Sequence, residues 1–474
     1  MLLDSSHRKA HRRWRVPTRI CRTTIAIQLL LLLTVSLVVC GLLEASDAGA
    51  SFLSMSGQKV LDVHTDPDPG AQDSPGHVQS KPNLHKYTYT TLPGYFLQDD
   101  PATKPGSFEF MKTNFGLVQR SYDSDENLPN KGRDMTAWQR FENHITTLNR
   151  AEERKRHGSE EGSHTRYKLL FLGRHGNGYH NIAERYYGSE AWDCHYSALD
   201  GDPEHVMVWS DAHLSKEGRR QAAEVNDFWK AQIKGQKMSL PQTYFVSPLD
   251  RAMETAQITF KGLLDKFDPT VMERLREGTG IHTCDRRSDV SYIRDHYPDF
   301  ITTQDPLLTE SDEFWDPDLR EPDDAVTTRL GKLFDQLMQS EKFKNSERIS
   351  FTSHSGAIGA TLRVLGHRSF SLGTGAVIPV FVKVETSKEL DKRHGVGGQG
   401  EGGNHAKVVD GQDASLADTM AVDKSKWGKI PSCPADMDLK TVGQKRWKMD
   451  LKDFVTGVEN GTVQLEEVAF RGVH

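Results

Sequence analysis

Apolar and polar positions divide the chain into stretches of different period. Residues 23–43 form an uncharged, mostly apolar run of 21 residues, long enough to cross a bilayer as a helix. Residues 44–86 show no periodicity and are rich in Gly, Ser, Asp and Pro, which predicts a disordered stalk. Folded sequence is expected over 87–474. Trp138, Phe141, Ile145 and Leu148 recur at helical spacing, so a helix is expected over 136–155. Leu169 to Leu172 form an unbroken apolar run that stops at Gly173-Arg174-His175-Gly176. Such a run is the pattern of a parallel strand buried on both faces. Further helices are expected from Ser215, a suitable N-cap, to about 234, then over 249–267, 323–339 and from 355 to 365. Further strands are expected over 243–246, 271–275, 348–352 and 376–385, where Pro379 argues for an edge position or a bulge. Strands alternating with helices predict an α/β domain of three layers, a mostly parallel sheet with helices on both faces. Residues 388–418 are Gly-rich and polar and are expected to be a disordered insertion. Trp427, Trp447, Phe454 and Phe470 predict that part of the tail packs back.

Charge adds an address. The first 50 residues carry seven Lys or Arg against three Asp or Glu. The basic head, residues 1–22, precedes the apolar run and argues for a cytoplasmic N-terminus. A signal anchor over 23–43 then places the rest in a lumen or outside the cell. A secreted protein is the alternative, because Ala48-Gly49-Ala50 resembles a cleavage site. Without those 50 residues the chain nets −10, which makes nucleic acid a poor partner. Of the five cysteines, Cys194, Cys284 and Cys433 lie in the expected domain, where one disulfide and one free thiol are possible. No Cys-x-x-Cys pair occurs, so no zinc site is expected.

The polar groups at strand ends carry the chemistry. Arg174 and His175 follow the first buried strand, and Ser247-Pro248-Leu249-Asp250-Arg251 follows the second. Arg276-Glu277 follows the third and His354 the fourth. In a parallel sheet all of these reach one edge, where ligands bind in open α/β folds. Arginine forks suit phosphate oxygens. A neutral imidazole can attack phosphorus. Glu277 can protonate a leaving oxygen, with Asp285 as the competing acid. No cofactor or metal is required.

Four motifs in order resemble those of the histidine phosphatase superfamily, the phosphoglycerate-mutase-like fold. Arg174-His175-Gly176 with Asn181 resembles the first, and Leu214-Ser215-x-x-Gly218 the second. Residues 247–256, Ser-Pro-Leu-x-Arg-Ala-x-x-Thr-Ala, resemble the third, and Ser353-His354-Ser355-Gly356 the fourth. The resemblance implies a nucleophile at His175, phosphoryl binding by Arg174, Arg251, His354 and Asn181, and a proton donor at Glu277. Arg286 and Arg287 would touch the rest of the substrate. Mutases of the family typically read Arg-His-Gly-Glu-Ser, where this chain has Asn177 and Gly178. Phytase-type members typically have a His-Asp pair where it has His354-Ser355. The chain therefore resembles a branch-one phosphatase. Residues 280–287 and 312–318 are similar to fungal phosphomutase-like proteins.

The expected activity is metal-independent hydrolysis of a small phosphomonoester through a phosphohistidine. A phosphoglycerate-type mutase and a catalytically weak phospho-ligand-binding module are the alternatives.

Overall fold

A computed structural model of the chain describes residues 85–156, 164–388 and 424–464. They fall within one unit, Ser80–His474. The basic head and the apolar run over 23–43 lie outside the described residues, as do all of the stalk but its last two positions and residues 389–423, which hold nearly all of the Gly-rich insertion. Among the described residues no helix is long and apolar enough to cross a membrane.

The strands are β1 (His85–Thr91), β2 (His164–Arg174), β3 (Thr243–Val246), β4 (Thr270–Val271), β5 (Arg348–Ser353) and β6 (Val377–Lys388). The longer helices are α1 (Ala137–Arg156), α2 (Tyr179–Tyr187), α3 (Ser189–Cys194), α4 (Lys216–Gln236), α5 (Asp250–Phe260) and α6 (Val290–His296). After them come α7 (Asp323–Gln339), α8 (Glu341–Asn345), α9 (Ser355–Val364), α10 (Val442–Trp447) and α11 (Leu451–Asn460). The sheet order is β1-β6-β2-β5-β3-β4. The β2–β5, β5–β3 and β3–β4 pairs are parallel. Only β6 runs against its neighbours.

β2 is central, and its alternate residues serve opposite layers, as a pleated strand requires. Leu170 and Leu172 enter the core shared with Leu330, Leu333 and Phe334 of α7 and Ile358 of α9. Leu169 and Phe171 enter the core shared with Trp138 and Phe141 of α1 and Trp229 of α4. Burial on both faces is why the run is continuous rather than alternating. Full burial of each such side chain contributes about 2 kcal/mol. Ser215 caps α4 as expected, its Oγ accepting from the Gly218 N–H at 3.1 Å.

β6 lies between β1 and β2, yet Pro379 itself sits beyond the β1 pairing, at the local edge its residue type predicts. It tolerates the place because β1 stops short of it: Thr91 pairs with Val382, and the Pro379 carbonyl on that side accepts from Gln98 Nε2 at 2.8 Å. Two expectations are corrected. The strand expected over 271–275 is two residues long and turns into a 3-10 segment, Glu273–Leu275. Buried Glu273 is drawn out of strand geometry by Arg276 Nη1 at 2.6 Å and Arg287 Nε at 2.8 Å. The helix expected to 267 ends at Phe260, and Gly262 follows with φ +70°. That turn brings Leu263, Leu264 and Phe267 back onto the core.

The tail does pack back where it is described. Cys194 and Cys433 form a disulfide, and Cys284 is a buried thiol. Phe454 joins Tyr186, Tyr187 and Trp192 in a third cluster beneath α2.

Candidate active site

Register assembles the site. Arg174 is level with Ser353 across the β2–β5 pair, so His175 and His354 are the first residues beyond the paired ends. Their ring centroids are 5.1 Å apart. Val246 is level with Thr352, which brings Ser247 to the same edge.

His175 is 2% exposed. Its Nδ1 lies 2.7 Å from the Gly176 carbonyl oxygen. A carbonyl only accepts, so Nδ1 carries the proton and Nε2 keeps its lone pair. Burial holds this imidazole well below its ordinary pKa, and the Arg251 and Arg174 charges add to the effect. The ring is therefore neutral, with a lone pair on Nε2. His354 is fully buried, with Nε2 2.7 Å from Ser247 Oγ. Burial, Arg251 and its histidine neighbours keep it neutral too.

The turn needs its glycines. A Cβ on Gly218 would lie 2.1 Å from the Asn177 carbonyl oxygen, and one on Gly176 would lie 2.5 Å from the Gly218 oxygen. Backbone packs on backbone here, with Ser215 Oγ donating to Asn177 Oδ1 at 2.8 Å. The Gly176 N–H donates to Thr255 Oγ1 at 2.9 Å, which in turn donates to the Arg251 carbonyl at 2.7 Å. The turn is thus tied to α5.

Arg174 donates from Nη1 to the Leu372 carbonyl at 2.7 Å. Arg251 is 1% exposed and donates to the Cys284 carbonyl at 2.5 Å and to Asp285 Oδ1 at 2.7 Å. Asp285 Oδ2 accepts from Arg320 Nη1 at 2.8 Å. Burial alone would raise the Asp285 pKa; the Arg320 and Arg251 guanidiniums outweigh it and hold the carboxyl below the usual range. The competing acid is therefore an ionised anchor for Arg251. His282, Cys284 and Asp285 cluster closely enough for metal ligands. Both Asp285 oxygens are already held by cations, so a metal ion does not fit there.

Glu277 accepts at Oε2 from the Gly356 N–H at 2.9 Å and at Oε1 from the Ala357 N–H at 3.0 Å. It grips the first turn of α9, the turn that follows His354. Asn181 Oδ1 accepts from the Gly178 N–H at 3.0 Å and so closes the start of α2. Arg287 does not reach toward a substrate. It is buried, bonded to Glu273 and to the carbonyls of Thr309 and Ser311. Arg286 is half-buried, bonded to Asp200 and Ser210 on the rim of an open cavity of about 540 Å³.

Sequence spacing missed His180. No motif at the strand ends includes it, yet its ring lies 5.3 Å from that of His175. The turn over residues 175–178 and the start of α2 at Tyr179 carry it back to the site. The signal was its position five residues after His175.

Fold, motif order and site define one class of protein: the chain belongs to the histidine phosphatase superfamily. The model of that superfamily's branch 1 matches residues 202–375, a span that contains Arg251, Glu277 and His354 and begins after His175. The chain is 46% identical over 306 residues to a probable phosphoglycerate mutase of Arthroderma benhamiae, covering 64% of this chain and 86% of that one. It is 38% identical over 240 residues to a probable phosphoglycerate mutase of Saccharomyces cerevisiae, covering 46% and 79%. It is 34% identical over 219 residues to phosphomutase-like protein 3 of Candida albicans, covering 46% and 66%.

Proposed function

We propose that the chain is a metal-independent phosphomonoester hydrolase that works through a phosphohistidine on His175. The observation that carries this reading is the neutral His175 ring, with Nδ1 tied to Gly176 and two arginines beside it. Nε2 attacks phosphorus, and an N–P bond forms as the ester P–O bond breaks. Arg174, Arg251 and His354 hold the phosphoryl oxygens, with Asn181 assisting. Glu277, which must first take up a proton because both its oxygens accept backbone N–H bonds here, gives that proton to the leaving oxygen. A water oxygen then attacks phosphorus, the N–P bond breaks, and the water's proton returns to Glu277. The substrate is a small phosphorylated molecule.

The relatives' names favour a second reading, a mutase that keeps the phosphoryl group. Asn177 and Gly178, where mutases typically have Glu-Ser, support hydrolysis instead. Incubation with labelled 3-phosphoglycerate and a panel of phosphate esters separates the two. Inorganic phosphate as product supports hydrolysis, and label recovered in an isomeric phosphoglycerate refutes it.

Glu277→Gln removes the proton donor and keeps the arginine cradle. p-Nitrophenyl phosphate, whose leaving group needs little protonation, should lose less than about threefold, and alkyl phosphates about a hundredfold. Equal losses would assign the acid to another group.

We also infer that residues 23–43 hold the protein on a membrane, with the catalytic unit on the non-cytoplasmic side. The Cys194–Cys433 disulfide supports an oxidising compartment. Alkaline carbonate should leave the protein in the membrane pellet. Full-length protein in the soluble cytosolic fraction contradicts the inference.

A further inference from the structure

We propose that His180 is a further phosphoryl-binding residue, a third imidazole in the cradle that His175 and His354 begin. The proposal rests on the phosphoryl-transfer reading above and gives that site one more ligand-binding group.

His180 is 9% exposed, and its Nδ1 is buried with no hydrogen-bond partner among the described residues. Buried imidazole nitrogens that serve only packing are bonded in nearly all folded proteins. Two other orphaned nitrogens belong to the same site: His354 Nδ1 and Arg251 Nε. The rings of His180 and His354 lie 5.3 Å and 5.1 Å from that of neutral His175, and the Arg251 charge acts on all three imidazoles. Nitrogens left unmatched around one point are what an oxyanion with several acceptor oxygens would satisfy.

The chain also makes room for this ring. A Cβ on Gly178 would lie 2.7 Å from His180 Nδ1 and 2.8 Å from its Cε1. Glycine at 178 therefore lets the imidazole fold back along the start of α2. The surroundings are not those of a core histidine. Besides burial, the Arg251 and Arg174 charges act on His180 and keep it neutral. A neutral imidazole still offers one N–H, the number a single phosphoryl oxygen requires.

Asn181, which the motif assigns to the phosphoryl group, has its oxygen committed to the Gly178 N–H. His180 is one residue earlier on the same turn. It adds a donor without disturbing that cap.

The test uses the full chain and orthovanadate, with inorganic phosphate as a second probe. His180→Phe fills the space and removes the donor. His180→Gln keeps an N–H. The expected result is orthovanadate binding at least about tenfold weaker in His180→Phe and substantially restored in His180→Gln, with thermal stability close to wild type. Equal binding by wild type and His180→Phe would overturn the assignment and leave the hydrolase reading standing. Failure of orthovanadate to bind the wild type would overturn both. If the variants are unstable, ¹H–¹⁵N spectra of histidine-labelled wild type decide. A His180 ring resonance that shifts on adding orthovanadate supports the assignment, and one that does not move contradicts it.

Discussion

His175→Ala should lose turnover on every phosphate ester by about four orders of magnitude or more, which is about 5 kcal/mol of transition-state stabilisation. The size follows from the division of labour in the site. In the proposed mechanism Arg174, Arg251 and His354 still bind and polarise the phosphoryl group, but none accepts it in place of Nε2. His354 is no substitute nucleophile, because its Nε2 already lies 2.7 Å from Ser247 Oγ. The loss should fall on kcat, with KM nearly unchanged, since the cradle survives. The fold should survive as well. His175 is held through its backbone, by its N–H to the Ser353 carbonyl at 2.9 Å and by its carbonyl to the Gly375 N–H at 2.9 Å. Steady-state kinetics and a thermal melt check both parts. An alanine variant that keeps even a tenth of the activity contradicts the assigned nucleophile.

Arg251→Ala should have the second largest effect, and it should act twice. Removing one charge aimed at a transferring phosphoryl group slows phosphoenzyme formation by about 10²–10³. The same change strips Asp285 of one of its two guanidiniums while leaving it buried and ionised. Breaking one partner of a buried ion pair costs about 3–5 kcal/mol. Arg251→Ala should therefore melt well below wild type, unlike His175→Ala. Arg251→Lys should rescue neither property fully. One ammonium cannot reach the Cys284 carbonyl and Asp285 together and still face the phosphoryl group. Rapid-quench measurement of the phosphoenzyme and melts of both variants test this. An Arg251→Ala protein with wild-type stability would show that Arg320 alone suffices for Asp285.

The centre of the sheet and the outline of the site were legible in the sequence for one physical reason. A strand buried on both faces is apolar at every position, so Leu169 to Leu172 announce themselves, and where the run stops the ligand edge begins. Arg174 and His175 follow that stop, while Arg251 and His354 follow shorter strands with polar residues among the apolar ones, Thr243–Val246 and Arg348–Ser353. The residues that escaped notice depend on contacts between distant segments. Arg251 is braced by Asp285, and Asp285 by Arg320, across a sequence gap that no local period marks. Asp285 looked like an acid because spacing says nothing about two guanidiniums converging on it. Pro379 reads as an edge residue and locally is one, because β1 ends at Thr91; that β6 as a whole lies inside the sheet is invisible from 379. Cys194 and Cys433, 239 residues apart, could not be paired from a count of three thiols. His180 was in view but unassigned, since only the turn into α2 brings it beside His175.

The central claim is a covalent phosphoryl group on one nitrogen of His175. A rapid quench of the full-length protein with a ³²P-labelled ester, followed by peptide mapping, tests it directly. The expected result is label that is stable in alkali, lost in acid, mapped to the peptide containing His175, and formed equally well with a chelator present. Label on any other residue, label stable to acid, or label that disappears when metal is chelated would contradict it.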